Sequence, residues 1–310
     1  MEESKQQQNI TQDTVQDMLI RGTGLGGKVR IFAARTTNLV NELQRRHGTY
    51  PTATAALGRT VTAAAMMGAM LKGEEKLTVQ VKGDGPIGQV VADANARGEI
   101  RGYVTHPQVH LASNAEGKLD VAGAVGRSGF IHITKDLGLK EPYRGSSPII
   151  SGELGEDFTY YFATSEQTPS AVGLGVLVDT DNSVLHAGGF IIQLLPGLSD
   201  EEITEIEQSL STLPPVTALL DQGMELDELV TWIVKDVHIM DRMSLVFQCQ
   251  CSRERVESTL ISLGQEELRA IINEDHKAEV VCHFCNEAYA FNRDDLEKLA
   301  AAAVTKKTQS

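Results

Sequence analysis

The chain has 310 residues, 41% apolar and 23% charged, a balance that fits a folded globular protein and excludes fibrous, collagen-like and low-complexity classes. It is longer than one typical domain, so two or three units are expected. Its 28 basic against 42 acidic side chains give a formal net charge of −14, which repels phosphate backbones and argues against a nucleic-acid partner where no basic face exists.

The opening MEESKQQQNITQD is polar, with neither the basic start nor the apolar stretch of an export signal, so a cytoplasmic location is expected. Residues 1–10 read as a disordered tail. The segment 11–20 reads as a short helix stopping at Gly22, followed by a strand over 28–35 and a helix over 36–47, with Leu39, Val40 and Leu43 on one face and Gly48 as its C-cap. The most apolar long segment, 51–73, carries Arg59 near its middle and four threonines. That composition predicts a buried Ala/Met-rich core helix rather than a membrane span.

Strict alternation over 76–82, turn chemistry at Gly83-Asp84-Gly85-Pro86 and strands at 87–94 and 99–105 predict an antiparallel meander. A strand at 129–135, a helix near 154–165 and strands at 171–179 and 184–195 complete a mixed region. Strands and helices come in blocks rather than in regular β-α-β alternation, so the fold class is α+β. The expected units are an N-terminal α+β core over 11–196, a helical linker over 197–244, a small C-terminal domain over 245–302 and a second disordered tail over 303–310. In the linker, Ser199 and Glu202 form a capping box that opens a helix with Ile203, Ile206 and Leu210 on one side. Pro214-Pro215 breaks it, and a second amphipathic helix over 224–236 puts Leu226, Leu229, Val230 and Ile233 on one face.

Chemistry concentrates in the cysteines. None occurs in the first 248 residues; then come Cys249-Gln250-Cys251, thirty intervening residues, and Cys282-His283-Phe284-Cys285. Residues i and i+2 of an extended chain point to the same side, and a two-residue spacing bends into a knuckle, so each pair can offer two sulfurs to one metal. Four soft sulfur ligands select zinc. The second pair lies between Val280-Val281 and Ala288-Tyr289-Ala290-Phe291, strand and strand, whereas a thioredoxin-type pair needs a strand running into a helix. His283 is a bystander, since four cysteines fill a closed site. Oxidation of the thiolates to sulfenic acids and disulfides would release the metal and unfold a small domain that depends on it, which is the basis of a switch. A permanent structural zinc site has the same residues, so the spacing leaves switch and staple both open. The run Gly22-Thr23-Gly24-Leu25-Gly26-Gly27 has dinucleotide-fingerprint spacing but no helix after it. No Ser, His and acid grouping marks a hydrolase, and an enzyme is not expected.

The CQCSRER run at 249–255, the CHFCNEAYAFN run at 282–292, KGDGP at 82–86, YFATSEQTP at 161–169 and AGGFIIQLLP at 187–196 together resemble the redox-regulated 33-kDa heat-shock chaperone family of bacteria. The likeness runs from about residue 15 to 300. Asn286 stands where a knuckle favours glycine, and asparagine tolerates the left-handed backbone needed there. The resemblance implies an ATP-independent holdase that is inactive when reduced, with one zinc on Cys249, Cys251, Cys282 and Cys285, and active when oxidants such as peroxide act under unfolding conditions. It further implies that Cys282 and Cys285 pair first, that zinc leaves, that Cys249 and Cys251 pair next, that the 197–244 region undocks, and that the oxidised form is a homodimer holding unfolding client proteins. The two apolar stripes of that region are expected to be clamped by the zinc domain until then. Two other classes stay in view: a zinc-ribbon protein binding nucleic acid, disfavoured by the acidic balance, and a thiol oxidoreductase working through Cys282 and Cys285, disfavoured by the knuckle context. Neither nucleic acid nor membrane is an expected partner.

Overall fold

A computed structural model of the chain describes residues 16–307. In chain order the elements are β1 (Met18–Gly24), β2 (Val29–Arg35), α1 (Thr37–His47), α2 (Pro51–Gly68), β3 (Lys76–Lys82), β4 (Gln89–Asn95), β5 (Glu99–Val104), α3 (Val121–Val125), β6 (Phe130–Asp136), β7 (Tyr143–Pro148), α4 (Gly155–Thr164), β8 (Ser170–Val178) and β9 (Val184–Leu194). There follow α5 (Asp200–Thr212), α6 (Val216–Asp221), α7 (Leu226–Ile233), β10 (His238–Ser244), β11 (Val246–Phe247), α8 (Arg253–Leu263), α9 (Gln265–Glu274), β12 (Lys277–Val281), β13 (Ala288–Asn292) and α10 (Arg293–Lys307). The first sheet has the order β10-β1-β2-β9-β8, the second β11-β5-β4-β3-β6-β7, and β12 pairs with β13 alone. This is the α+β class expected.

The helix α2 packs on strands of both sheets, which is why it is rich in alanine, threonine and glycine: a helix covered on opposite sides is buried all round, and small residues let the strands approach while Leu57, Met66 and Met67 fill the core. Its one charge, Arg59, leaves the core through an ion pair to Glu153 Oε2 at 2.7 Å. Among the described residues no helix is long and apolar enough to cross a membrane. The start of α1 is held by Asp17, whose carboxylate accepts from Asn38 N–H at 3.1 Å and Leu39 N–H at 2.6 Å, and Gly48 closes the helix in the left-handed region at φ 59°. Burial pushes the Asp17 carboxyl up to about 6, against the pull of those N–H groups and of the Arg35 charge. The expected capping box is present: Glu202 N–H donates to Ser199 Oγ at 3.2 Å and Ser199 N–H to Glu202 Oε2 at 2.8 Å. The KGDGP run lies in the β3–β4 connection, as a hairpin loop should.

Several expectations change. The segment 11–20 was expected to be helical; residues 11–15 lie outside the described residues, and from Met18 the chain is strand, because β1 is flanked by β10 and β2 and buries Leu19 and Ile20 on opposite faces. Consecutive buried residues mimic a helical face and hide the period of a doubly covered strand. The strand also supplies what precedes the glycine run at 22–27, yet β2 rather than a helix follows, so no dinucleotide fold forms. Residues 303–307, expected in a tail, extend α10; the expectations for 1–10 and 308–310 lie outside the described residues.

Three apolar clusters hold the molecule. The largest sits between the sheets around α2. The second covers the other face of the first sheet: Ile20, Val29, Ile31 and Ile192 pack against Ile206, Leu226, Leu229, Val230 and Ile233 from α5 and α7, with Leu219 and Leu220 of α6. Leu210 packs at its margin and Ile203 is half-buried. The apolar stripes of 197–244 are thus buried on the first sheet and not under the C-terminal unit. The third cluster is small and joins α8, α9, α10 and the β12–β13 hairpin through Leu260, Leu268, Ile272, Phe291, Leu296 and Leu299.

Candidate functional site

The four cysteines meet where the β12–β13 hairpin and the chain leaving β11 converge. Cys282, His283, Phe284 and Cys285 form the turn of a strand-turn-strand knuckle: Cys282 N–H donates to Glu287 O at 2.9 Å and Asn286 N–H to Cys282 O at 2.8 Å. Asn286 takes φ 61°, the left-handed conformation its position requires. No helix follows this pair directly, so it lacks the strand-to-helix setting of a thioredoxin site.

All four sulfurs lie within 4.8 Å of one another. Cys249 Sγ is 3.7 Å from Cys282 Sγ and Cys251 Sγ is 3.2 Å from Cys285 Sγ. A tetrahedron with metal–sulfur bonds of about 2.3 Å has edges of about 3.8 Å, so the spacing suits one zinc-sized ion with all four ligands in place. His283 is not part of the cluster; its ring lies against Tyr103 with centroids 5.8 Å apart. Tyr289, within the hairpin, donates its hydroxyl to Cys251 Sγ at 3.2 Å, and that bond keeps the phenol protonated well above its usual range. Burial pushes the Cys285 and Cys251 thiols up. Cys249 is partly buried too, but hydrogen bonds from the Cys251 N–H, the Cys251 and Cys285 thiols and Arg101 outweigh that and bring it down to about 7.

The knuckle is docked on the core domain by residues that no spacing in the sequence singled out. Arg101, on β5, bonds to Asp93 Oδ2 at 2.7 Å, stacks its guanidinium on the Phe284 ring at 3.9 Å from the centroid, and reaches Cys249 Sγ at 3.8 Å. Tyr103, two residues on, meets Phe284 edge to face at 5.2 Å. At the end of α1, Arg46 donates to Cys285 O at 3.2 Å and lies over the Phe247 ring at 4.5 Å, while its own carbonyl accepts from Asn286 Nδ2 at 2.9 Å. His47 donates from Nε2 to Phe284 O at 3.2 Å; burial lowers its pKa, so the ring is neutral at neutral pH. Basic residues at the end of a helix and alternating on a strand look like ordinary surface charge, which is why sequence reading passes over them.

The fold and the site together define an α+β protein with a four-cysteine site resting on its core. A model of the family described as Hsp33 protein matches residues 17–292. The 33 kDa chaperonin of Bacillus subtilis (strain 168) is 55% identical over 284 residues, covering 91% of this chain and 98% of that one. That of Halalkalibacterium halodurans is 54% identical over 285 residues, with 91% and 98% covered. The crystal structure of the Thermotoga maritima 33 kDa chaperonin superposes with a TM-score of 0.89 at 38% identity, covering 94% of this chain and 100% of that one. The chain belongs to the Hsp33 family. Membership places it among the chaperones, and its relatives are named as chaperonins rather than as enzymes.

Proposed function

We propose that the chain is a redox-regulated, ATP-independent holdase of the cytoplasm, kept inactive by one zinc ion on Cys249, Cys251, Cys282 and Cys285. The observation that carries this reading is the tetrahedral spacing of four sulfurs on a knuckle whose ligand residues also make the docking contacts, through Cys249 Sγ to Arg101 and Cys285 O to Arg46. A change of sulfur chemistry therefore acts directly on the docking. Zinc, when bound, supplies folding free energy to the small C-terminal unit, about 10–16 kcal/mol in peptide systems, and the modest third cluster fits a unit that needs it.

Oxidation of one cysteine pair passes two electrons to a peroxide: the thiolates join in one S–S bond, and the peroxide takes up two protons and leaves as two waters. Two such steps, Cys282 with Cys285 and then Cys249 with Cys251, use two peroxides and set the zinc ion free as the dication. The C-terminal unit, 245–302, then loses its staple and leaves the core of 11–196, loosening the 197–244 region between them. Unfolding clients are held on the surface so exposed, and the oxidised chain works as a homodimer. The −14 charge helps keep such complexes dispersed and gives no footing for nucleic acid; no membrane is involved.

The test is light scattering from a chemically unfolded reporter protein diluted into buffer with the reduced, zinc-loaded chain or with the peroxide-treated chain at mildly raised temperature. Suppression by the oxidised form alone is expected. Equal scattering in both states would return the four cysteines to a permanent structural site.

A further inference from the structure

Residues 238–248 form a strap across the edges of both sheets. β10 closes the first sheet against β1, from Met18 opposite Ser244 to Thr23 opposite His238. The chain then crosses over, with Leu245 N–H donating to Asp17 O at 3.1 Å, and β11 joins the second sheet through Val246 N–H to Gly98 O at 2.9 Å and Gln248 N–H to Ile100 O at 3.0 Å. Cys249 is the next residue, so the strap is the mechanical connection between the sulfur site and the core sheets.

Strap and edge are built differently. Within the strap only Leu245 is buried; the β10 side chains alternate between exposed and half-buried, and Met240 is 65% exposed. Beneath it, β1 is anchored in two cores at once, Leu19 in the first and Ile20 in the second. Close approach of strap and sheet relies on glycine: a Cβ on Gly22 would lie 2.6 Å from His238 O, and one on Gly98, at φ +76°, would lie 2.4 Å from Ser244 O. The strap is thus held by backbone hydrogen bonds, by Leu245, by the half-buried Ile239 and Phe247 and by exposed ion pairs of Asp241 with Arg21 and Arg242 with Asp227, with little side-chain burial of its own, while the edge it covers belongs to the rigid core. The α5–α7 stripes, by contrast, bury Ile206, Leu226, Leu229, Val230 and Ile233 in the second cluster.

We propose that the strap occupies the client's place, and that the β1 edge, uncovered when the strap peels away with the cysteine site, takes up extended apolar segments of unfolding proteins by antiparallel strand addition. The proposal rests on the redox-switched reading above and names the surface and the mode of recognition. Main-chain pairing suits a chaperone because every chain offers the same N–H and C=O groups, so capture needs no sequence motif. The sequence seated there now, HIMDRMS, carries Ile239, Met240 and Met243 among polar residues and shows what the edge accepts. An uncovered edge is also an aggregation hazard, which is a reason to keep it paired in the resting protein.

Hydrogen exchange at the β1 and β10 amides tests this, with reduced carboxymethylated α-lactalbumin as a permanently unfolded probe. In the oxidised full-length chain the β10 amides should exchange at least about tenfold faster than in the reduced chain, and the β1 amides should follow them, then regain protection when the probe is added. A proline on the strap gives a second route: Met243→Pro, opposite Leu19, should let the reduced, zinc-loaded chain bind the probe with the same protection of β1. Probe bound by the oxidised chain with β1 exchange unchanged, or with β10 still protected, overturns edge capture and leaves the redox reading standing. If the oxidised chain binds no probe the redox reading falls, and Met243→Pro binding it in the reduced state upholds edge capture, while failure to bind overturns that too.

Discussion

Arg101→Ala removes the side chain that, alone among the described residues, touches both the Phe284 ring and a ligand sulfur. Its stacking on Phe284 at 3.9 Å contributes about 1 kcal/mol, and its hydrogen bond to Cys249 Sγ at 3.8 Å adds about 1 kcal/mol. The Asp93 pair lies within the core sheet on both sides of the docking equilibrium and drops out of the difference. A loss of about 2 kcal/mol shifts the docked-to-undocked ratio by about 30-fold. Hydrogen exchange at Gln248, whose N–H is tied to Ile100 O just ahead of Cys249, reads that shift in the reduced protein. The expected result is exchange about 30-fold faster at Gln248, with metal content and exchange at Leu268 unchanged, and an intermediate value for Arg101→Lys, which keeps the charge but not the planar stack. Wild-type exchange at Gln248 in a metal-loaded Arg101→Ala protein would refute the view that this residue holds the knuckle down.

Leu229→Ala, at a position 1% exposed in the second cluster, should cost about 2–5 kcal/mol in denaturant unfolding of the reduced protein; unchanged stability with weakened client holding would mean that the α7 stripe is a binding surface and not core. Cys285→Ser should abolish zinc retention and the helical circular dichroism of α8–α10 while the core keeps its cooperative transition, and a C-terminal unit that stays folded without metal would remove the basis of the switch. Asp17 has its folded pKa raised to about 6 from 3.8, so the unfolded carboxyl ionises first and stability falls as pH rises from about 4 to about 6, by about 3 kcal/mol. Asp17→Asn should lack that component, and parallel stability profiles for the two proteins between pH 4 and 7 would show that the buried carboxyl does not carry it.

The sequence by itself determined whatever depends on neighbours along the chain. Alternation revealed β3, the capping box revealed α5, glycine revealed the end of α1, and cysteine spacing revealed a four-sulfur site on a knuckle, because each is a local rule with a period or an offset. The apolar stripes of α5 and α7 were legible as stripes. What they cover was not, since burial against the first sheet is a long-range choice and any apolar face would satisfy the same pattern. β1 escaped because two covered faces erase the period of two, and β10 because its half-exposed residues pair with a strand more than two hundred positions away. The socket of Arg46, His47, Arg101 and Tyr103 is likewise a product of tertiary structure alone. Its members are ordinary surface residues until the knuckle is set on them, and only packing brings Arg46 to the carbonyl of Cys285 and Arg101 to the sulfur of Cys249.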